Sequence, residues 1–250
     1  MQMHIFHTVN SGLIISDPST KLLIDGIHGC GLRFSYPPRE LLEQYRNRTG
    51  LLRNLSAVLF THEHEDHCDY YYLELLRRRA EQVDFFCPDI AESTIRFEPA
   101  GERLGRAQVG TFTVWALRTK HDGPKKFQTP NVSYLIENSE ARIFIAGDSA
   151  FTPDDGAALA GFGPVDCAFF NTYQAASAEQ REFIRGLRVR SAYIYHLPFP
   201  EDDDDNYIIL ARQLVRHFPQ DIAKLQCAGP MEWIPMPCRK DTAKGGGQQV

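Results

Sequence analysis

The 250-residue chain contains no run approaching 18 apolar residues, so nothing in it has the length of a membrane span. Its opening, MQMHIFHTVNSGLIISDP, lacks the basic segment, apolar stretch and small-residue cleavage site of a secretory signal, and a cytoplasmic location is expected. Positive charge is in deficit: 27 Lys and Arg face 32 Asp and Glu, a formal net charge of −5. No global field therefore exists to draw in nucleic acid or an anionic bilayer, and both are disfavoured as partners. Cysteine is sparse and scattered. The six (Cys30, Cys68, Cys87, Cys167, Cys227, Cys238) include no C-x-x-C pair, which argues against a structural zinc knuckle and a redox dithiol and leaves reduced thiols as the expected state. No repeat of 20 to 50 residues is present.

What is there suits an ordinary folded domain. Apolar residues make up 43% and charged residues 24%, enough to bury a sizeable core, and one domain over residues 1–240 is expected with a flexible tail at 241–250. HIFHTVN, GLIIS and KLLID read as short strands separated by turn signals. PPRELLEQYRNR carries proline at a helix start and apolar residues at Leu41, Leu42 and Tyr45, one face of an amphipathic helix. SAVLF reads as a buried strand and YYYLELLRRRAEQ as a helix. The runs VDFFCP, TFTVWALRT, NVSYLIE and ARIFIAG are further strands. From about residue 150 the strands DCAFFN and SAYIYHL alternate with helices in SAEQREFIRGL and DDNYIILARQLVRHF. Two mixed β-sheets packed face to face with helices outside satisfy this order.

The densest chemistry is THEHEDHCD, at the end of the buried strand SAVLF. In an extended segment alternate residues share a side, so His62, His64 and Asp66 can project together while Glu63 and Glu65 point away; His67 must turn with the chain. Neutral imidazole is a good ligand for zinc and related ions, and a carboxylate adds negative charge, so these four residues could serve one metal or two. The H-E-x-x-H spacing of a zincin is missed by one residue, and the H-x-E with a later P-C-x-x-C of a zinc deaminase is absent.

THEHEDHCD resembles the H-x-H-x-D-H motif of the metallo-β-lactamase superfamily, standing as that motif does between a buried strand and a helix. The resemblance continues downstream in order, through His121 in RTKHDG, Asp148 in FIAGDS and His196 in YIYHLP, and covers about residues 5 to 200. It implies an α/β fold, a four-layer αβ/βα sandwich with metals at one edge of the two sheets. It further implies that His62, His64 and His121 hold a first divalent ion, that Asp66, His67 and His196 hold a second, and that Asp148 bridges them. Zinc is the expected ion, with iron or manganese as alternatives. Such a pair, about 3.5–4 Å apart, would activate water, with Asp66 orienting the nucleophile.

Around this set, His28 in DGIHGCG and Asn171 and Tyr173 in FFNTYQ are candidate substrate contacts, the latter two as pocket-lining or oxyanion donors. His4, His7 and His217 read as structural, and the acidic run Glu201–Asp205 as a helix start. Cys68, directly after His67, reads as a small residue behind the ligands. A binuclear metal-dependent hydrolase acting on a small-molecule ester-type bond is expected. Lys120, Lys125 and Lys126 favour a phosphodiester; a lactonase or other carboxylic-ester or thioester hydrolase is the alternative, and a non-catalytic metal-binding sensor or partner-binding module is the alternative of another class. The ligand set disfavours antibiotic hydrolysis, and a di-iron oxidoreductase is set aside because 250 residues leave no room for an attached flavin domain.

Overall fold

Alternation along the strands sorts their side chains into three apolar layers, and the fold follows from that sorting. The structure, a computed structural model, describes residues 2–29, 34–79, 83–88, 90–124 and 128–236. Cys30, Lys125, Lys126, Cys238 and the 241–250 tail lie outside the described residues.

Strands β1 (His4–His7), β2 (Leu13–Ser16) and β3 (Lys21–Ile24) form an antiparallel meander; helix α1 (Arg39–Asn47) then leads to β4 (Ala57–Leu59), helix α2 (Tyr70–Arg79) and β5 (Asp84–Phe86). β3, β4 and β5 run parallel, which the intervening α1 and α2 make possible. The second sheet is built from β6 (Glu98–Pro99), β7 (Leu104–Val109), β8 (Phe112–His121), β9 (Asn131–Glu137) and β10 (Arg142–Ile145), all antiparallel. The two-residue strand β11 (Ser149–Ala150) pairs with β8. Helix α3 (Pro153–Leu159), strand β12 (Cys167–Phe170), helices α4 (Thr172–Ala176) and α5 (Ala178–Gly186), β13 (Ser191–Ile194), α6 (Tyr207–His217) and β14 (Lys224–Cys227) follow, with β10, β12, β13 and β14 parallel. Last, β15 (Glu232–Ile234) returns to the first sheet and pairs with β1, giving the orders β15-β1-β2-β3-β4-β5 and β14-β13-β12-β10-β9-β8-β7-β6.

In β3, Leu22 and Ile24 face the layer between the sheets while Leu23 turns outward to Leu41 and Tyr45 of α1. In β12, Cys167 and Phe169 face inward and Ala168 and Phe170 face the helices, where Phe183 and Ile184 of α5 and Ala211 of α6 cover them. The result is the four-layer αβ/βα sandwich, with both sheets covered on both faces. Phe151 and Phe183 stack with ring centroids 3.8 Å apart, tying α5 to the segment before α3. Each expected strand and helix is found. Strands β6, β7, β11, β14 and β15 and helices α3 and α4 are additional. α3 carries a signature that the sequence displays: Thr152 and Asp155 form a reciprocal capping box with Pro153 in the first turn. Thr152 and Asp155 thus do the capping at GDSAFTPDD, and Asp148 is left for other work.

Candidate metal centre

Side chains from five strand ends meet at one edge of the sandwich. Asp25 follows β3, His62 follows β4, His121 ends β8, Asp148 follows β10 and His196 follows β13, so the convergence lies at the carboxyl ends of the parallel strands, where open α/β sheets place their sites. His64, Asp66 and His67 arrive on the turn between β4 and α2, closed by the His67 and Cys68 amides donating to the His64 carbonyl, both at 2.8 Å. His196 has φ +62°, a left-handed conformation held because its amide donates to the Asn10 carbonyl at 2.8 Å and the Asn10 amide donates to the Leu197 carbonyl.

All seven residues of the expected ligand set are brought together. His62, His64 and His121 present ring nitrogens within 4.8 Å of one another; a carboxylate oxygen of Asp66 and ring nitrogens of His67 and His196 are equally close. The Nε2 atoms of His62 and His121 are 3.3 Å apart, and those of His67 and His196 are 2.9 Å apart. Asp148 Oδ2 lies 3.5 Å from His67 Nε2 and 4.0 Å from His121 Nε2, between the two groups. Asp66 Oδ2 is 3.3 Å from His196 Nε2.

The outer nitrogens show why the inner ones point inward. His67 Nδ1 donates to Asp25 Oδ2 at 3.0 Å and His121 Nδ1 donates to the Asp122 carbonyl at 2.5 Å, which fixes the proton on Nδ1 and leaves the Nε2 lone pair facing the centre. Asp25 is itself locked, accepting from the Thr61 amide and hydroxyl, both at 2.7 Å. Burial and then neighbouring His67 push the His62 pKa well down, and burial and then His121 lower that of His64. For Asp66, burial opposes the charge but His196 and His67 outweigh it and hold the carboxyl below its usual range. Asp148 is likewise held well down, by His196 and His67 against burial. His67 is raised, since Asp148 and Asp25 overcome its burial. Imidazole nitrogens converging with ionised carboxylates, with a cation taking the place of the proton that Asp148 and Asp25 favour on His67, make a donor set that fits divalent cations.

Asp25, Thr61, Asp122 and Gln174 belong to this site without having been singled out in the sequence. Asp25 had a visible signal, an acid closing the buried run KLLI just before a glycine. Asp122 joins His121 and Asp148 in a third cluster, and burial followed by Asp148 pushes its pKa up to about 6. Of the candidate substrate contacts, His28 is buried 1% exposed; its Nδ1 donates to the Gly29 carbonyl at 2.8 Å, and its Nε2 has no hydrogen-bond partner. Tyr173 is 46% exposed on α4. The Asn171 amide is held inside the site, on Asp148 and Asp122. His7 is structural, bonded to the Asn10 and Gly229 carbonyls, and Asp203 of the acidic run accepts from the Tyr207 and Ile208 amides at the start of α6.

The family model described as Beta-lactamase superfamily domain matches residues 20–201, more than half the chain. The chain belongs to the β-lactamase superfamily. No curated protein matches it by sequence. Among solved structures with this superfamily fold, CmlA, a diiron β-hydroxylase from Streptomyces venezuelae, aligns with TM-score 0.63 at 15% identity, over 93% of this chain and 54% of its own. This superfamily member thus spans about half the length of CmlA. Igni18, a metallo hydrolase from Ignicoccus hospitalis KIN4/I, aligns with TM-score 0.61 at 16% identity over 93% of this chain and 98% of its own. An isothiocyanate hydrolase from Delia radicum gut bacteria aligns with TM-score 0.56 at 14% identity, over 92% and 98%. At these identities the likeness shows the shared fold. One fold here carries a hydroxylase and hydrolases, so the substrate must be argued from this chain's own residues.

Proposed function

We propose that this superfamily member is a cytoplasmic metal-dependent hydrolase of small molecules. His62, His64 and His121 hold one divalent ion, Asp66, His67 and His196 hold a second, and Asp148 lies between them. The observation that carries this reading is the position of Asp148 Oδ2, which faces an imidazole of each group at 3.5 and 4.0 Å. Five imidazoles suit zinc best, with iron and manganese as the alternatives. When bound, a pair of such ions supplies water made acidic enough to attack at neutral pH and stabilises charge on the bond under attack. Asp66, kept ionised by His196 and His67, is the acceptor that orients the attacking water.

The bond is of ester type. A cleft of about 610 Å³ opens on His64 and is lined by Tyr36, Glu63, Glu65 and Tyr71 among others, with no lysine or arginine among its described lining residues. A phosphodiester, with its one negative charge, meets an unfavourable field there beside Glu63, Glu65 and Asp69, whereas an uncharged carboxylic ester or lactone does not. Lys120, at the end of β8, is exposed and adds little to hold a phosphate. This cleft moves the preference from phosphodiester to carboxylic ester or lactone. His28, whose buried Nε2 has no hydrogen-bond partner and which adjoins the cleft residue Gly29, and the exposed Tyr173 are the further substrate contacts of this proposal. No long apolar helix crosses a membrane among the described residues.

The test is a parallel assay of bis(p-nitrophenyl) phosphate and simple lactones and esters, with and without chelator. Chelator-sensitive turnover, faster on the uncharged esters, is expected. Metal binding without turnover on any of them would favour a sensor or binding module.

A further inference from the structure

Asp148 is the residue on which the two histidine groups depend, and its own surroundings are unusually well specified. It sits in a tight turn, Ala146–Ser149, where Gly147 has φ +58° and a side chain at Gly147 would press on Thr61 at 2.8 Å. The Gly147 amide donates to the Tyr195 hydroxyl at 3.0 Å. From the other side comes the start of α4. Gln174, fully buried, donates from Nε2 to the Gly147 carbonyl at 3.0 Å and to the Ser149 carbonyl at 2.9 Å, bracketing Asp148.

Asn171 completes the bracket. Its Nδ2 donates to Asp148 Oδ1 at 3.1 Å and to Asp122 Oδ2 at 3.3 Å, so both amide hydrogens are taken. Its Oδ1 accepts from the Gln174 amide at 3.0 Å, and the Gln174 side chain accepts from the Asn171 amide at 2.8 Å, closing a reciprocal cap on α4. With Oδ1 of Asp148 occupied, its Oδ2 is the oxygen left to face His67 and His121. The shared donor also holds two carboxylates side by side that would otherwise repel.

We infer that Asn171, backed by Gln174, is a positioning residue that selects which carboxylate oxygen of Asp148 is offered to a cation, and is not a substrate or oxyanion contact. This rests on the metal reading proposed above. Substitution of such an outer partner lowers metal affinity by roughly 10- to 100-fold in general.

Asn171→Ser separates capping from clamping. Serine caps a helix about as well as asparagine but is too short to reach both carboxylates. Zinc binding to chelator-stripped full-length protein, followed by competition with a chromophoric chelator, is the readout, together with the unfolding temperature of the stripped protein and the visible spectrum after cobalt loading. Expected are an unfolding temperature close to wild type, affinity for the weaker ion lowered roughly 10- to 100-fold, and an altered cobalt spectrum. Wild-type affinity for both ions would overturn the inference and reduce Asn171 to a cap. If Asn171→Ser fails to fold, the wild-type protein decides by amide NMR: slowly exchanging Asn171 side-chain protons that shift on zinc addition support the clamp, and rapid exchange overturns it. Failure of the wild type to bind any zinc would instead overturn the metal reading itself.

Discussion

Asp25 shows how much one side chain can settle. With no exposed surface, it accepts from the Thr61 amide, the Thr61 hydroxyl and His67 Nδ1, and so sets both the ring plane and the tautomer of His67. Asp25→Asn keeps the shape but removes the charge that favours this arrangement. It should lower metal affinity by roughly 10- to 100-fold, read by the same zinc competition; unchanged affinity would show that His67 needs no orienting partner. His28 makes a different prediction. Burial, the largest effect on it, lowers its pKa from 6.5 to about 4, so between those values the unfolded chain binds a proton that the folded chain does not. Its contribution is therefore fully present above pH 6.5 and is lost as pH falls toward 4, by about 2 kcal/mol between pH 7 and 5. Urea unfolding of the metal-free protein at those two pH values should show this fall, and His28→Gln should flatten it. An identical fall in the variant would assign the acid lability elsewhere, with His7, also lowered by burial, the first group to examine. At this scale the sequence revealed the histidines, because H-x-H-x-D-H is local, and hid the roles of Asp25 and Asn171, because partners 42 and 23 residues away leave no spacing to read.

Among elements, the turns that end strands bear most of the specificity. Gly147→Ala forces a left-handed φ on a residue with a side chain and presses it on Thr61, which Asp25 and His62 hold in place. A loss of about 2 kcal/mol or more is expected from backbone and packing together, with weakened zinc binding because Asp148 is the next residue. Wild-type unfolding and zinc affinity would contradict the account of this turn. Phe183, 8% exposed and stacked on Phe151, anchors α5 to the sheet; Phe183→Ala should cost about 3 kcal/mol by chemical denaturation while leaving zinc affinity unchanged, since no ligand rides on α5. Strands such as ARIFIAG and DCAFFN were legible because their apolar runs are covered on both faces. β15, three residues long, was not legible: its pairing with β1 spans nearly the whole chain and depends on where the other strands have already put the sheet edge. The Thr152–Asp155 box shows the reverse case, a local signature for α3 that could have been read from the sequence.

For the molecule as a whole, the layers and the centre are one construction. The alternation that buries Ile143 and Ile145 between the sheets and Phe144 under the helices also carries the chain through β10 to Asp148; the registers of β4, β8 and β13 bring His62, His121 and His196 to the same edge. Ions that bind only the folded chain must stabilise it by mass action, so unfolding should shift to lower temperature on adding chelator and return on adding zinc, by an amount that grows with free zinc concentration. The general architecture was readable from strand and helix order, and the site's location from a single six-residue cluster. Its completeness was not, since it depends on five strand ends separated by up to 171 positions between Asp25 and His196.

The number of ions the folded chain holds decides whether these residues form a two-metal centre. Native mass spectrometry of the intact protein, purified without added metal and then equilibrated with zinc, should show about two ions per chain. A chain that stays metal-free in zinc, iron and manganese alike would contradict it.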